Sequence, residues 1–214
     1  NDIWEIGEGA EINFQENKLK CSHFSVVNQQ QELKLNGIVG PNETDELSIS
    51  LSEFDLSNFG DLTYNEESEV QLNGVINLDL SLKSILNNIE FTGSVIVNQL
   101  ILNDIQIGDL TFKSDWEGMD NRFVIEGGLR NEDRVQEINF QSIKYYPFND
   151  LERQLEGAIL FEDFNADLLN PFLPQPYLGN LETKLEGAVF LSGSMLNPIL
   201  NGELKLNDSK IDLI

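Results

Sequence analysis

Cysteine and histidine are nearly absent from this chain, with one of each, Cys21 and His23, in 214 residues. A lone cysteine has no intrachain disulfide partner and supplies no thiolate cluster for zinc or iron. Basic residues are also scarce. Thirteen Lys and Arg stand against 37 Asp and Glu, a formal charge of −24, which repels nucleic-acid phosphates and anionic bilayer surfaces and excludes DNA or RNA binding. No apolar run approaches the roughly 18 residues of a membrane helix, and the opening NDIWEIGEGA has no basic region followed by an apolar run, so neither a membrane span nor a signal peptide is read. The chain begins at Asn1 without methionine and stops inside the alternating run KIDLI. We read it as a piece of a longer protein whose targeting and anchoring segments lie elsewhere.

What is present is a foldable chain. With 40% hydrophobic and 9% aromatic residues it is too apolar for a disordered acidic tail, so the charge decorates a core. The dominant pattern is alternation with period two, the mark of half-buried strands. QELKLNGIV sets Leu33, Leu35, Gly37 and Val39 on one face, VQLNGVINLDL sets Val70, Leu72, Gly74, Ile76, Leu78 and Leu80, and IEFTGSVIV sets Ile89, Phe91, Gly93, Val95 and Val97. FVIEGGL, QLEGAILF, KLEGAVFL and ILNGELKL follow the same rule. In every run the glycine shares the parity of the apolar residues. Such a notch marks either a sharp bend of the sheet or space for a ligand against its inner face.

An internal repeat covers about half of the chain. FDLSNFG, EVQLNGVINLDLSLKSIL and IEFTGSVIVNQLILNDI align with FNADLLNPFL, TKLEGAVFLSGSMLNPIL and NGELKLNDSKI, pairing Gly74 with Gly187, Ser81 with Ser194 and Gly93 with Gly202. The expected units are residues 1–105 and 106–214, stacked as one continuous elongated domain without a flexible linker. Helices are minor. Phe161, Phe164, Leu168 and Phe172 stand at near-helical spacing, which predicts one or two turns there before the Pro171, Pro174, Pro176 cluster ends them.

Strands with one apolar face need a cover, and this chain offers almost no amphipathic helix to supply it. The sheet must cover itself as a closed barrel, a two-sheet sandwich or a partly closed trough. The inner-face glycines and the tandem units favour the trough: all-β, mostly antiparallel, curved, with an apolar interior.

The segment LEGAVFLSGSMLNPILNGELKLNDSKIDLI (185 to 214), preceded by FNADLLNPFLPQPYLGNLETK, resembles the C-terminal repeat region of the TamB family, the inner-membrane component of the translocation and assembly module in bacteria with two membranes. The tokens are Leu185-Glu186-Gly187, the Ser192-Gly193-Ser194 turn, and Asn197-Pro198-Ile199-Leu200-Asn201-Gly202. AsmA-like relatives share this style, and the first copy lacks the proline, having Ile85 in its place. The resemblance implies a periplasmic body of the β-taco kind, anchored to the inner membrane by a segment outside this chain, with two roles attached. One is bridging the two membranes with a hydrophobic groove for phospholipid transport. The other is insertion or folding of outer-membrane β-barrel proteins, and thereby protein secretion, with an outer-membrane barrel of the BamA/TamA type as partner.

Physical chemistry supports the first role, because acyl chains leave water for an apolar lining at about 0.8 kcal/mol per methylene. The second would use strand edges to pair with a nascent strand. Leu72, Ile76, Leu78, Phe91, Val95, Val97, Leu185, Val189, Leu191, Leu204 and Leu206 are the candidate groove-lining residues, for phospholipid acyl chains or a nascent β-barrel protein. An acidic β-sandwich scaffold or adhesive domain with a solid core is the competing class.

Catalysis has few candidates. Alternation would put the Cys21 thiol and the His23 imidazole on one side of a strand, as two metal ligands or as nucleophile and base, but no second cysteine or histidine completes a site. The pairs Glu66-Glu67, Glu132-Asp133 and Glu162-Asp163 read as solvated charge. Asp115 to Asp120 has a faint calcium-loop look without the spaced ligands of such a loop, and reads as a hairpin turn. No catalytic residue, metal ligand or cofactor is expected, and the chain reads as non-enzymatic. Arg122, Arg130, Arg134, Lys144 and Arg153 are expected near one rim, as a headgroup or partner contact or as ordinary surface pairing.

Overall fold

The structure is a computed structural model that describes residues 3–59, 72–87, 89–102, 105–131, 135–150, 153–166 and 181–211. Glu66-Glu67, Glu132-Asp133, Arg134, Leu168 and Phe172 lie outside the described residues. The described chain is all-β. Its 13 strands form one unclosed antiparallel sheet in which almost every strand pairs with its neighbours in sequence, the arrangement expected where alternating runs are joined by short turns. Two compact units divide it, residues 1–104 with 111–116 and residues 105–110 with 117–214.

The first unit holds β1 (Glu5–Ile6), β2 (Glu11–Gln15), β3 (Lys18–Asn28), β4 (Gln31–Val39), β5 (Glu46–Asp55), β6 (Leu72–Lys83) and β7 (Glu90–Leu102). Both β1 and β2 pair with β3 along one edge. Alternation within strands becomes rows across them, because residues opposite one another share a face. Val26, Leu33, Leu51, Leu78 and Val95 form one such row, and Phe24, Leu35, Ile49, Leu80 and Gly93 the next. The reverse face carries Lys34, Ser50, Asp79 and Ser94 in one row and Asn36, Ser48, Ser81 and Thr92 in another.

This unit curls toward its apolar face. On a flat sheet β1 and β5 would stand about 14 Å apart, three strand spacings, yet the rings of Trp4, next to β1, and Phe54, on β5, stack with centroids 5.6 Å apart. The bends are built by bulges. Register shifts fall between Cys21 and Phe24, between Leu51 and Phe54, and beside Gln99. In each the extra residue, His23, Glu53 or Gln99, has a left-handed φ of 47–52°. A bulge adds twist and bend at the cost of a strained residue.

β8 (Ile105–Glu117) is divided between the units, and the second unit continues through β9 (Arg122–Arg130), β10 (Gln136–Tyr145), β11 (Leu155–Asn165), β12 (Leu181–Gly193) and β13 (Pro198–Ile211). Its rows run Leu129, Ile138, Phe161, Gly187, Leu204 and Gly127, Phe140, Ile159, Val189, Gly202. A small core of Leu129, Phe164, Ala166 and Leu185 is sealed by Ile105, Ile107, Leu110, Ile138 and Phe161. The helical turns expected around Phe161 and Phe164 are absent up to Asn165, where the chain is strand β11. A bulge at Asp163 (φ 54°) inserts one residue, so two aromatics three apart in sequence share one face of a strand and meet edge to face at 5.9 Å. One turn of 3-10 helix does occur, at Leu56–Phe59.

The inner-face glycines are places of close approach. Gly37 has φ +129° and Gly187 φ +143°, backbone that L side chains rarely adopt. A Cβ at either would collide with a carbonyl oxygen of the adjacent strand, that of Glu46 or of Glu203. Of the two readings of the notch, the bend accounts for both positions, and the neighbouring backbone fills the space a ligand would need.

Candidate functional site: an apolar face left half-covered

The candidate lining residues fall on the apolar faces of the two units. In the first, Leu72 faces Leu102, Ile76 lies between Phe54 and Val97, Leu78 between Leu51 and Val95, and Phe91 faces Leu82. In the second, Leu185 lies between Phe164 and Leu206, Val189 between Ile159 and Gly202, Leu191 between Gly157 and Leu200, and Leu204 faces Gly187. Their covering differs. Val97 and Leu185 are buried, Leu72, Ile76, Leu78, Phe91, Val95, Val189 and Leu191 are half-buried, and Leu204 and Leu206 on β13 are exposed. Among the described residues Cys21, Val97, Phe123, Leu129, Leu155, Phe164, Ala166 and Leu185 make up the buried apolar set. The remaining inner rows are lined surface.

Several members of the same rows were not among the candidates: Val26, Leu33, Leu35, Ile49, Leu51 and Phe54 in the first unit and Phe140 and Ile159 in the second. The run ELSISLSEF alternates plainly and signals β5. Trp4, which caps one end of the first unit's apolar face through Phe54, carries no signal of its own, because its place depends on the curl.

Polar clasps hold the strand ends. The Lys18 ammonium donates to the Asp45 carboxylate at 3.0 Å, and the Asn42 amide donates to its second oxygen at 3.0 Å. The Lys18 hydrogen bond, outweighing burial, holds the Asp45 carboxyl below its ordinary range. Glu46 is likewise held low, first by the hydroxyl of Ser81 and then by Lys83. At the start of β9, Arg122 binds Glu117 at 2.6 Å and Asp120 at 3.1 Å and donates to the Tyr146 hydroxyl at 3.2 Å, which keeps its guanidinium charged.

The clearest cleft lies elsewhere. A groove of about 500 Å³ opens on the polar side of the first unit, between Lys34, Ser50, Asp79, Ser94 and Lys113. The apolar side is an open lined face, and a flexible chain can lie on it without a preformed cavity.

Cys21 and His23 do not meet as expected. Cys21 faces Gly37 and is 4% exposed, whereas the bulge makes Phe24 the next residue on that face and leaves His23 exposed. Asp163 pairs with Lys184 at 2.5 Å on the surface. Residues 118–121 form the β8–β9 turn. Among the described residues no group of three His, Cys, Asp or Glu could hold a metal, and no helix is long and apolar enough to cross a membrane. The basic residues divide. Arg122, Lys144 and Arg153 stand at one end of the second unit's strands, while Arg130 stands at the other end of β9, opposite Gln136.

Strand order, inner rows and polar outer face define an all-β antiparallel sheet protein that keeps an accessible aliphatic side. The family model described as TamB, N-terminal domain, matches residues 8–206, and the chain belongs to that family. The family ties it to envelope biogenesis in bacteria with two membranes, as a structural or transport module. The matched region is the N-terminal domain and corrects the expected C-terminal placement. Glycine-led strands and Asn-Pro turns are the grammar of any curved antiparallel pair, so those tokens report the fold and not a position along the family's chain. Comparison with curated proteins and with solved structures finds no match to this chain.

Proposed function

We propose that this chain is a non-enzymatic length of apolar-lined trough that carries phospholipid acyl chains through the periplasm between the two membranes. The observation that carries this reading is the half-covered state of the inner rows: Ile76, Leu78, Val95, Val189 and Leu191 are aligned across strands yet neither sealed nor fully exposed. A solid core would bury them. Each methylene that leaves water for such a face contributes about 0.8 kcal/mol, so a chain of a dozen methylenes is held without any polar contact. Residues 1–105 and 106–214 serve as two repeat units of one lining.

The test is lipid occupancy of the chain purified from a bacterial envelope in mild detergent, read by native mass spectrometry with lipid extraction. Phospholipid should co-purify, and Ile76→Asp or Val189→Asp should abolish it while circular dichroism shows a folded sheet. If the same substitutions unfold the protein, the face is a solid core, since burying an unpaired charge costs several kcal/mol.

A second reading has its own support. β13 pairs with β12 and ends the described sheet path, and its Leu200, Leu204 and Leu206 are 60%, 41% and 51% exposed. A nascent β-barrel strand could add to that edge through main-chain hydrogen bonds, in concert with an outer-membrane barrel of the BamA/TamA type.

A further inference from the structure

Three turns of the second unit lie at one end of its strands: β8–β9 (118–121), β10–β11 (described at 146–150 and 153–154) and β12–β13 (194–197). Each carries a large apolar side chain into solvent at its tip. Met119 is fully exposed, Phe148 56%, Met195 59% and Leu196 87%. Successive turns sit two strands apart, so the tips are spaced by about 10 Å. Between them stand polar residues, Asp120, Asn121, Asn149 and Asn197.

Several amides of these turns are satisfied within the turns themselves. The amides of Asp120, Asn149, Arg153 and Ser194 donate to the carbonyls of Glu117, Tyr146, Asp150 and Asn197, and the Asn197 amide donates to the Ser194 hydroxyl. The apolar tips can therefore leave water without stranding those amides. Cations stand behind them. Arg122 lies over the Tyr146 ring, 5.9 Å from its centroid, Lys144 lies 3.5 Å from Glu156, and Arg153 is exposed with no ion pair among the described residues.

We propose that this end of the second unit docks on a zwitterionic phospholipid surface, with Met119, Phe148, Met195 and Leu196 entering the acyl boundary and Arg153 and Tyr146 at the headgroup level. Separated prongs with polar residues between them offer no continuous patch for a rigid protein to cover, whereas a fluid interface takes each prong separately. An aromatic hydroxyl and long cationic side chains suit the wet side of that interface. The net charge of −24 selects a zwitterionic surface over an anionic one. Docking of this kind does not require acyl chains on the inner rows and stands apart from the transport reading.

The test is flotation of the full chain with phosphatidylcholine–phosphatidylethanolamine vesicles. The wild type should float, and Met119→Ser, Phe148→Ser and Leu196→Ser together should abolish flotation, each alone weakening binding by about tenfold, with far-UV circular dichroism showing a folded sheet throughout and melting temperatures unchanged in Met119→Ser and Leu196→Ser, whose side chains are almost wholly exposed. Phe14→Ser, an exposed apolar residue on β2 outside these turns, should float as the wild type does. A wild type that stays at the bottom of the gradient, or a triple variant that floats equally well, overturns the proposal. Flotation lost in Phe14→Ser but kept in the triple variant assigns membrane contact to the β2 edge and overturns it too.

Discussion

Gly187→Ala separates a bend from a ligand notch. Gly187 sits on β12 opposite Leu204 with φ +143°, and an added methyl meets the Glu203 carbonyl oxygen and Leu204 Cα. In an unstrained strand, alanine for glycine stabilises by roughly 0.5–1 kcal/mol through the unfolded chain. Here the residue must occupy a backbone region that costs about 1–3 kcal/mol for an L residue, and β13 must retreat from its partner. The net expectation is a loss of about 2 kcal/mol. For a unit of about 100 residues that lowers Tm by about 8 °C. Thermal unfolding by far-UV circular dichroism reads it, with Gly9→Ala as the comparison, since Gly9 has a positive φ (+79°) but nothing within 4 Å of the added atom and so reports backbone strain without the contact. A Gly187→Ala protein that melts at or above the wild-type temperature would show that the neighbouring strand yields to the methyl, and the close-approach account would fail.

Asp45, held low by Lys18, contributes stability that is fully present above the ordinary carboxylate value of 3.8 and is lost as pH falls through its depressed folded value. Asp45→Asn should therefore destabilise at pH 7 and narrow the gap to wild type under strong acid, checked by melts across pH; a constant gap sinks the assignment. Trp4→Ala should cost about 1–2 kcal/mol in urea unfolding by removing the stack on Phe54, and no change would mean that the ring does not hold the curl. Raising salt from about 0.01 M to about 1 M shortens the Debye length from about 30 Å to about 3 Å, and sedimentation should then show more self-association, driven by the exposed apolar residues of β2 and β13. More association at low salt would contradict this.

The strands and their inward faces were legible because alternation is a local pattern that the sheet preserves. QELKLNGIV and IEFTGSVIV kept the parity read from them. The bulges were not legible. One inserted residue turns a spacing of two into three, so Cys21 and Phe24, Leu51 and Phe54, and Phe161 and Phe164 imitate a helical stripe while lying on one strand face. The same shift separates His23 from Cys21 and removes a juxtaposition that strict alternation implied. The face each candidate residue takes was readable by parity, but its covering was not, since Val97 and Ile76 look alike in sequence and differ in burial.

Bulges also decide how an apolar face can stay half-covered. A flat sheet with one aliphatic side collapses onto a second sheet or a second molecule, and a fully closed one fills its interior. Local bends at Glu53, Gln99 and Asp163 let the sheet shield its own rows in part, so that neither a second layer nor closure is needed. The polar face then has the opposite task. With Asp79, Glu126, Glu156, Glu186 and Glu203 spread along strands β6 to β13, it supplies the self-repulsion that keeps partly exposed leucines apart. On β13, Glu203 and Lys205 alternate with Leu204 and Leu206, and charge on an edge strand discourages unspecific pairing there. An acidic exterior and an under-filled interior are thus one design constraint, because removing the charge without filling the face would leave an aggregating sheet.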